Sequence, residues 1–268
     1  MKKIKKIYSK NNNEIVLVEN NIALYSTNDL LTPHPNPLID KSTPSLLRLA
    51  NSPRRGAAAK GARGQLDNPS QSNKTILIIG VFHGDEPQGK FLIENYIYAE
   101  GRGFAAPLSN TKNRLLFIPC LNPDGLMLKT RQNANKVDLN RNFPTSNWEI
   151  SENPEYFGGE NSSSEIETKF LIEIIEEFSP DIILTLHAPY KVVNYDGPAQ
   201  EIAEKISEII GYPVQQEIGY PTPGSFGTYA GVERNIPTIT LELDEEIDMR
   251  ELVSPIKKIF DYLFSINP

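Results

Sequence analysis

Cysteine is nearly absent from these 268 residues: Cys120 stands alone, so neither a disulfide framework nor a cysteine metal knuckle can be built. That scarcity suits a reducing compartment. Long apolar runs are lacking as well, and without a stretch of about 18 apolar residues a membrane-spanning helix is excluded. Positive charge is not in excess; the formal charge of -7 argues against a general nucleic-acid binder. The opening Met1-Lys2-Lys3-Ile4-Lys5-Lys6 has the charge of a signal peptide, but residues 7–13 supply no apolar segment behind it. The cytoplasm is therefore the expected location. What is present, 39% hydrophobic and 23% charged residues, is the make-up of a folded globular chain. A chain of this length buries a substantial core without cross-links, so a single domain over 1–268 is expected.

One segment departs from its surroundings. From about 31 to 72 the chain turns to Pro, Ala, Gly and Arg, including Pro33-His34-Pro35-Asn36-Pro37 and Arg54-Arg55-Gly56-Ala57-Ala58-Ala59. Between Lys41 and Leu66 there are six basic residues and no acidic one. The stretch has neither strand nor long-helix periodicity and reads as a flexible insertion, which costs little extra closure entropy. A basic partner-binding loop is the functional alternative, and a short helix fits 45–50.

Elsewhere strand-like runs alternate with helical patterns. The continuous apolar run over 75–82 suits a strand buried on both faces. Residues 87–99 follow as a helix with Pro87 in its first turn. Further strands are expected over 114–120, 181–186 and 238–243. Helices are expected from a Ser164/Glu167 capping box to Phe178, and over 198–210 and 251–264. This order predicts an α/β fold, a mixed and mostly parallel central sheet with helices on both faces. Sites in such folds gather at the carboxyl ends of strands.

The chain has three histidines, and two of them follow directly on expected strands. His83 opens His83-Gly84-Asp85-Glu86, where a His-x-x-Glu pair on a strand-to-helix turn can bring an imidazole and a carboxylate to one ion. His187 from a second strand end completes three metal ligands and leaves a fourth position for water, an arrangement suited to catalysis. His34, between prolines, is a bystander.

In order along the chain stand His83-x-x-Glu86, Asn122-Pro123-Asp124-Gly125, Asp138-Leu139-Asn140-Arg141-Asn142-Phe143, His187, and Glu242 in Thr240-Leu241-Glu242. This series resembles the carboxypeptidase A-like zinc metallopeptidases, or funnelins, from about Thr75 to the C-terminus. The resemblance implies one zinc ion and a division of labour around it. Glu242 would be the general base, moving a proton from water to the leaving amine. Arg131 would stabilise the oxyanion. Asn140 and Arg141 would bind the terminal carboxylate of the substrate, and Asp138 would orient the first metal histidine. A solvated strand-end carboxylate is the plainer reading of Glu242, and a surface charge that of Arg131.

The stretch 218–229, with His187-Ala188-Pro189 and Asn194-Tyr195-Asp196-Gly197-Pro198, is similar to the murein peptide amidase branch. That branch cleaves the γ-D-glutamyl-meso-diaminopimelate bond of cell-wall peptides during recycling, so the implied partner is a murein tripeptide, without nucleic acid or membrane. Tyr220 and Ser225 are candidate substrate contacts; packing and turn capping are their alternatives. Diaminopimelate carries a distal amino-acid head, which calls for an acid such as Asp196 or one after Glu242. Asp85 stands where digestive members carry a basic residue, so the subsites differ. A general metallocarboxypeptidase, an aspartoacylase-like N-acyl amino acid deacylase and a non-catalytic zinc-binding homologue are the rival readings.

Overall fold

The computed structural model describes residues 2–19, 73–98, 113–216, 219 and 221–266. The expected insertion at 31–72, the short helix at 45–50, His34 and Tyr220 lie outside the described residues. One eight-stranded sheet organises the rest, in the order β1-β2-β4-β3-β5-β8-β6-β7. Its centre is parallel: β3 (Thr75–Gly80) lies between β4 (Arg114–Ile118) and β5 (Ile182–His187), and β5 pairs with β8 (Thr238–Glu242). Antiparallel pairings flank that centre. The hairpin β1 (Lys2–Tyr8) and β2 (Glu14–Glu19) adds to β4, while β6 (Val192–Asp196) adds to β8 and carries the short β7 (Val214–Gln215).

The central strands are rich in Ile and Leu because both faces are covered. Ile76 and Ile78 of β3 point into a core with α1 (Gln88–Tyr98), α4 (Gln200–Ile210) and α5 (Met249–Ser265). Leu77 and Ile79 point into a second core, under α3 (Ile166–Phe178). Each fully buried Ile or Leu stabilises the fold by about 1.5–3 kcal/mol, so this layer fixes the register of the strands that present the site.

Several boundaries differ from expectation for physical reasons. β3 stops at Gly80, short of 82, because Val81 adopts a left-handed backbone (φ 57°), a costly conformation for a β-branched residue. The twist sends Phe82 into the core and leaves His83 next in line. The Ser164/Glu167 capping box does not form. Glu165 is the N-cap of α3 and makes no side-chain cap bond, while Ser164 Oγ donates to Glu165 at 2.6 Å and accepts from Asn142 at 3.0 Å. The hydroxyl sits one position too early for the cap and ties the helix start to another loop. The hairpin β1–β2 and strand β6 had no counterpart in the sequence reading. No helix among the described residues is long and apolar enough to cross a membrane.

Candidate metal centre and substrate cavity

Register decides the site. β5 and β8 pair so that His187 lies beside Glu242, and β3 delivers His83 and Glu86 through the turn that follows it. That turn is buckled to the next loop. A Cβ on Gly84 would overlap the backbone of Gly125, so α2 (Pro123–Leu128) approaches as only glycine permits. Asn122 caps α2 by accepting from the Gly125 amide at 2.9 Å, and its amide nitrogen donates to the carbonyls of Phe82 (3.2 Å) and Arg131 (3.3 Å). Asp124 accepts from Ser9 Oγ, the Asn11 amide and Asn13 Nδ2. The Asn-Pro-Asp-Gly motif thus joins the β3 turn, the Arg131 loop and the β1–β2 hairpin.

His83, Glu86 and His187 are all buried and converge. His83 Nδ1 lies 2.7 Å from one Glu86 oxygen, His187 Nδ1 lies 3.0 Å from the other, and the two Nδ1 atoms are 3.3 Å apart. Tetrahedral zinc with bonds of about 2.0–2.1 Å places its ligand atoms about 3.3 Å from one another, so this donor set fits a zinc ion. The Nε2 of His83 faces Asp138 at 3.3 Å, which leaves Nδ1 as the inward atom. Phe82 stacks on the His187 ring at 5.3 Å and 25°, over a floor shared with Phe143 and Phe226.

The charges are balanced inside this cluster. Burial lowers the His83 pKa, but the Glu86 and Asp138 carboxylates outweigh it and hold it at about 9. Burial pushes Glu86 up, and the two imidazoles more than reverse it, leaving it well below the usual range. Asp138 is likewise depressed against its burial, by His83, Arg131 and Arg141. Arg131 Nε and Nη2 each stand 2.9 Å from Asp138 Oδ2, and its Nη1 reaches to 3.3 Å from His83 Nδ1. Glu242 differs: burial raises its pKa, and its Oε2 is buried with no hydrogen-bond partner among the described residues. An orphaned carboxylate oxygen beside a donor set for zinc fits a metal-held water.

A cavity of about 740 Å³ opens over the cluster, lined by Arg131, Asn140, Arg141, Asp196 and Glu242 among others. Asn140 Oδ1 accepts from the Phe226 amide at 2.9 Å, which aims its NH2 group. Arg141 is 6% exposed and donates to the Asn140 carbonyl at 2.7 Å. The Asp196 carboxylate has no hydrogen-bond or ion-pair partner among the described residues, and burial alone pushes its pKa up to about 6. A Cβ on Gly227 would overlap that carboxylate. Of the acids after Glu242, Asp244 is taken by Lys191 at 2.9 Å. Ser225 lines the cavity, but its hydroxyl donates to Thr228 Oγ1 (2.9 Å) and accepts from the Thr228 amide (3.2 Å). Of its two readings, turn capping is the one these bonds describe. Tyr156, overlooked in the sequence because it sits in a polar stretch without periodicity, lines the same cavity.

The zinc carboxypeptidase family matches residues 46–205, a segment that includes His83, Glu86, Arg131, Asp138, Asn140, Arg141 and His187 and ends before Glu242. The chain belongs to this zinc-dependent family of hydrolases. It is 31% identical over 186 residues to murein peptide amidase A of Escherichia coli (strain K12), covering 65% of this chain and 73% of the relative. It is 34% identical over 189 residues to murein peptide amidase A of Vibrio campbellii, covering 65% and 71%. The crystal structure of murein-tripeptide amidase MpaA from Escherichia coli O157 superposes with a TM-score of 0.61 at 28% identity, covering 75% of this chain and 85% of that one.

Proposed function

We propose that this chain is a one-zinc peptidase that hydrolyses the γ-D-glutamyl-meso-diaminopimelate bond of murein tripeptide, in the recycling of cell-wall peptides. The observation that carries the reading is the cavity's two-ended charge. Asn140 and Arg141 offer donors to a carboxylate beside the scissile bond, and Asp196, whose carboxylate has no partner among the described residues, offers an acceptor to a distal ammonium. An ordinary aliphatic or aromatic C-terminal residue would leave that buried acid without a partner. The relatives named above, murein amidases of comparable length, support the same substrate class.

His83, Glu86 and His187 would hold the ion. Zinc, when bound, supplies Lewis-acid polarisation of the scissile carbonyl and acidifies a water. Glu242, whose pKa burial raises and whose Oε2 has no hydrogen-bond partner among the described residues, would take a proton from the attacking water and pass it to the leaving amine. Arg131, preset by Asp138, stands ready for the oxyanion, worth a few kcal/mol. Asp138 also keeps the His83 ring in its inward tautomer. Such recycling of imported fragments belongs in the cytoplasm.

The test is release of diaminopimelate from L-Ala-γ-D-Glu-meso-diaminopimelate, run beside ordinary C-terminal peptides and N-acyl amino acids. Turnover of the tripeptide alone is expected. Turnover restricted to ordinary peptides would make the chain a general carboxypeptidase, and turnover restricted to N-acyl amino acids a deacylase.

A further inference from the structure

Two like-charged guanidiniums, those of Arg131 and Arg141, share one aromatic ring. The Cζ of Arg131 lies 5.2 Å from the centroid of Tyr156, and the Cζ of Arg141 lies 5.7 Å from it. Arg131 is bonded to Asp138 and Arg141 to the Asn140 carbonyl. No bond joins the two guanidiniums to each other among the described residues, and like charges repel. An aromatic face attracts both cations and opposes that repulsion.

The ring is itself firmly placed. It ends a 3-10 turn, Pro154–Tyr156, capped by Asn153, whose Oδ1 accepts from the Glu155 amide at 3.0 Å. That turn is clipped at three points to the loop bearing both arginines. Gln132 Nε2 donates to the Pro154 carbonyl at 2.6 Å, the Asp138 amide to the Phe157 carbonyl at 2.8 Å, and Asn142 Nδ2 to the Gly158 carbonyl at 2.7 Å. The segment bearing the tyrosine and the loop bearing the two arginines are therefore joined on the cavity wall.

We propose that Tyr156 is a positioning residue, whose ring sets the spacing between the oxyanion cation Arg131 and the carboxylate-binding cation Arg141. This rests on the roles given to the two arginines under Proposed function. The spacing matters because scissile carbonyl and terminal carboxylate are held at a fixed distance by one residue of substrate. A substrate bound by Arg141 delivers its carbonyl to Arg131 only when the cations are set apart to match.

Steady-state kinetics on the murein tripeptide, with diaminopimelate binding by calorimetry, zinc content and thermal melting, would test it in Tyr156→Phe and Tyr156→Leu. The phenylalanine variant keeps the ring and should stay within about twofold of the parent in kcat/KM. The leucine variant should lose on the order of tenfold, with KM raised, kcat lowered and diaminopimelate bound more weakly. Zinc content and melting should not change. In an Arg131→Ala background, Tyr156→Leu should no longer lower kcat, since the cation it positions is gone. An unchanged leucine variant, a phenylalanine variant as damaged as leucine, or a kcat loss that persists without Arg131 would each overturn the inference. If Arg131→Ala and Arg141→Ala themselves left kcat/KM unchanged, the underlying reading of the site would fall, and this inference with it. Strong arginine effects with a silent Tyr156→Leu would remove the inference alone.

Discussion

Among the described residues, every buried carboxylate but one around His83 meets a cation or an imidazole, while around Asn133 the buried carboxylates meet only amides and a hydroxyl. In the first region Glu86 and Asp138 are matched by His83, His187 and Arg131. In the second, Glu165 accepts from Asn133, Asn135 and Ser164, and Glu167 has one long contact at 3.4 Å from Asn133 and a buried oxygen with no partner among the described residues. Burial, helped by the charge of Glu165, pushes Glu167 up to about 7. Both regions are polar and buried, and both border the loop that carries Arg131 to Asn142. Only the first brings imidazoles and a carboxylate to a common point beside a cavity. Buried polarity alone therefore marks no active site; convergence of opposite charges with one orphaned acceptor does.

The sharpest way to break the contrast is to remove a ligand. His187→Ala should lose bound zinc by elemental analysis and reduce tripeptide hydrolysis to background, as should chelation of the parent protein. Glu242→Gln should keep its zinc and yet lose about 10²–10⁴-fold in kcat; zinc loss in this variant would move Glu242 from proton transfer to metal binding.

A smaller, pH-dependent effect is expected at Asp196. Its carboxyl stands at about 6 against the ordinary 3.8, so the stability it contributes is present below 3.8 and lost as pH rises through 6. Asp196→Asn should therefore be more stable than the parent at pH 8, by on the order of 2 kcal/mol, and equal to it near pH 3.5. The same variant should lose activity on the tripeptide by about tenfold or more, because the ammonium's partner is gone. In the parent, KM should rise as pH falls below about 6 and Asp196 takes up its proton. A stable Asp196→Asn with unchanged KM would withdraw Asp196 from substrate binding.

The smallest effect belongs to the second cluster. Glu167→Gln should leave kcat/KM within about twofold and melt a few degrees higher at pH 8.5, with no gain near pH 4. The sign follows from a carboxyl raised to about 7, which stabilises only while protonated. An activity loss there as large as that of Glu242→Gln would erase the distinction between the two regions.

Much of this was legible along the chain. The central strands were, because burial on both faces leaves a largely apolar signature at 75–80 and 182–187, interrupted in the second by Thr185 and ended by His187. So were three residues able to hold a metal, because imidazoles are scarce here and two of them stand at or just after the ends of such strands. The hairpin β1–β2 was not, since its strands mix exposed and buried positions and carry a weaker pattern, and β6 was not because it is short and its apolar run is broken by Asn194 and Asp196. The capping box at Ser164 failed for another reason. A hydroxyl one position early was claimed by Asn142 and Glu165, distant and adjacent partners that local pattern does not weigh.

By itself, then, the sequence determined the class of fold, the order of its central strands and helices, and the identity of the residues able to hold a metal. These follow from local composition and period. The tertiary structure alone decided that His187 lies beside Glu242, that the Asp196 carboxylate has no partner among the described residues while Asp244 has one, and that Tyr156 stands near two arginines. Each is a matter of strand register and loop approach, set by packing between segments far apart in the chain, and no window of neighbouring residues encodes it.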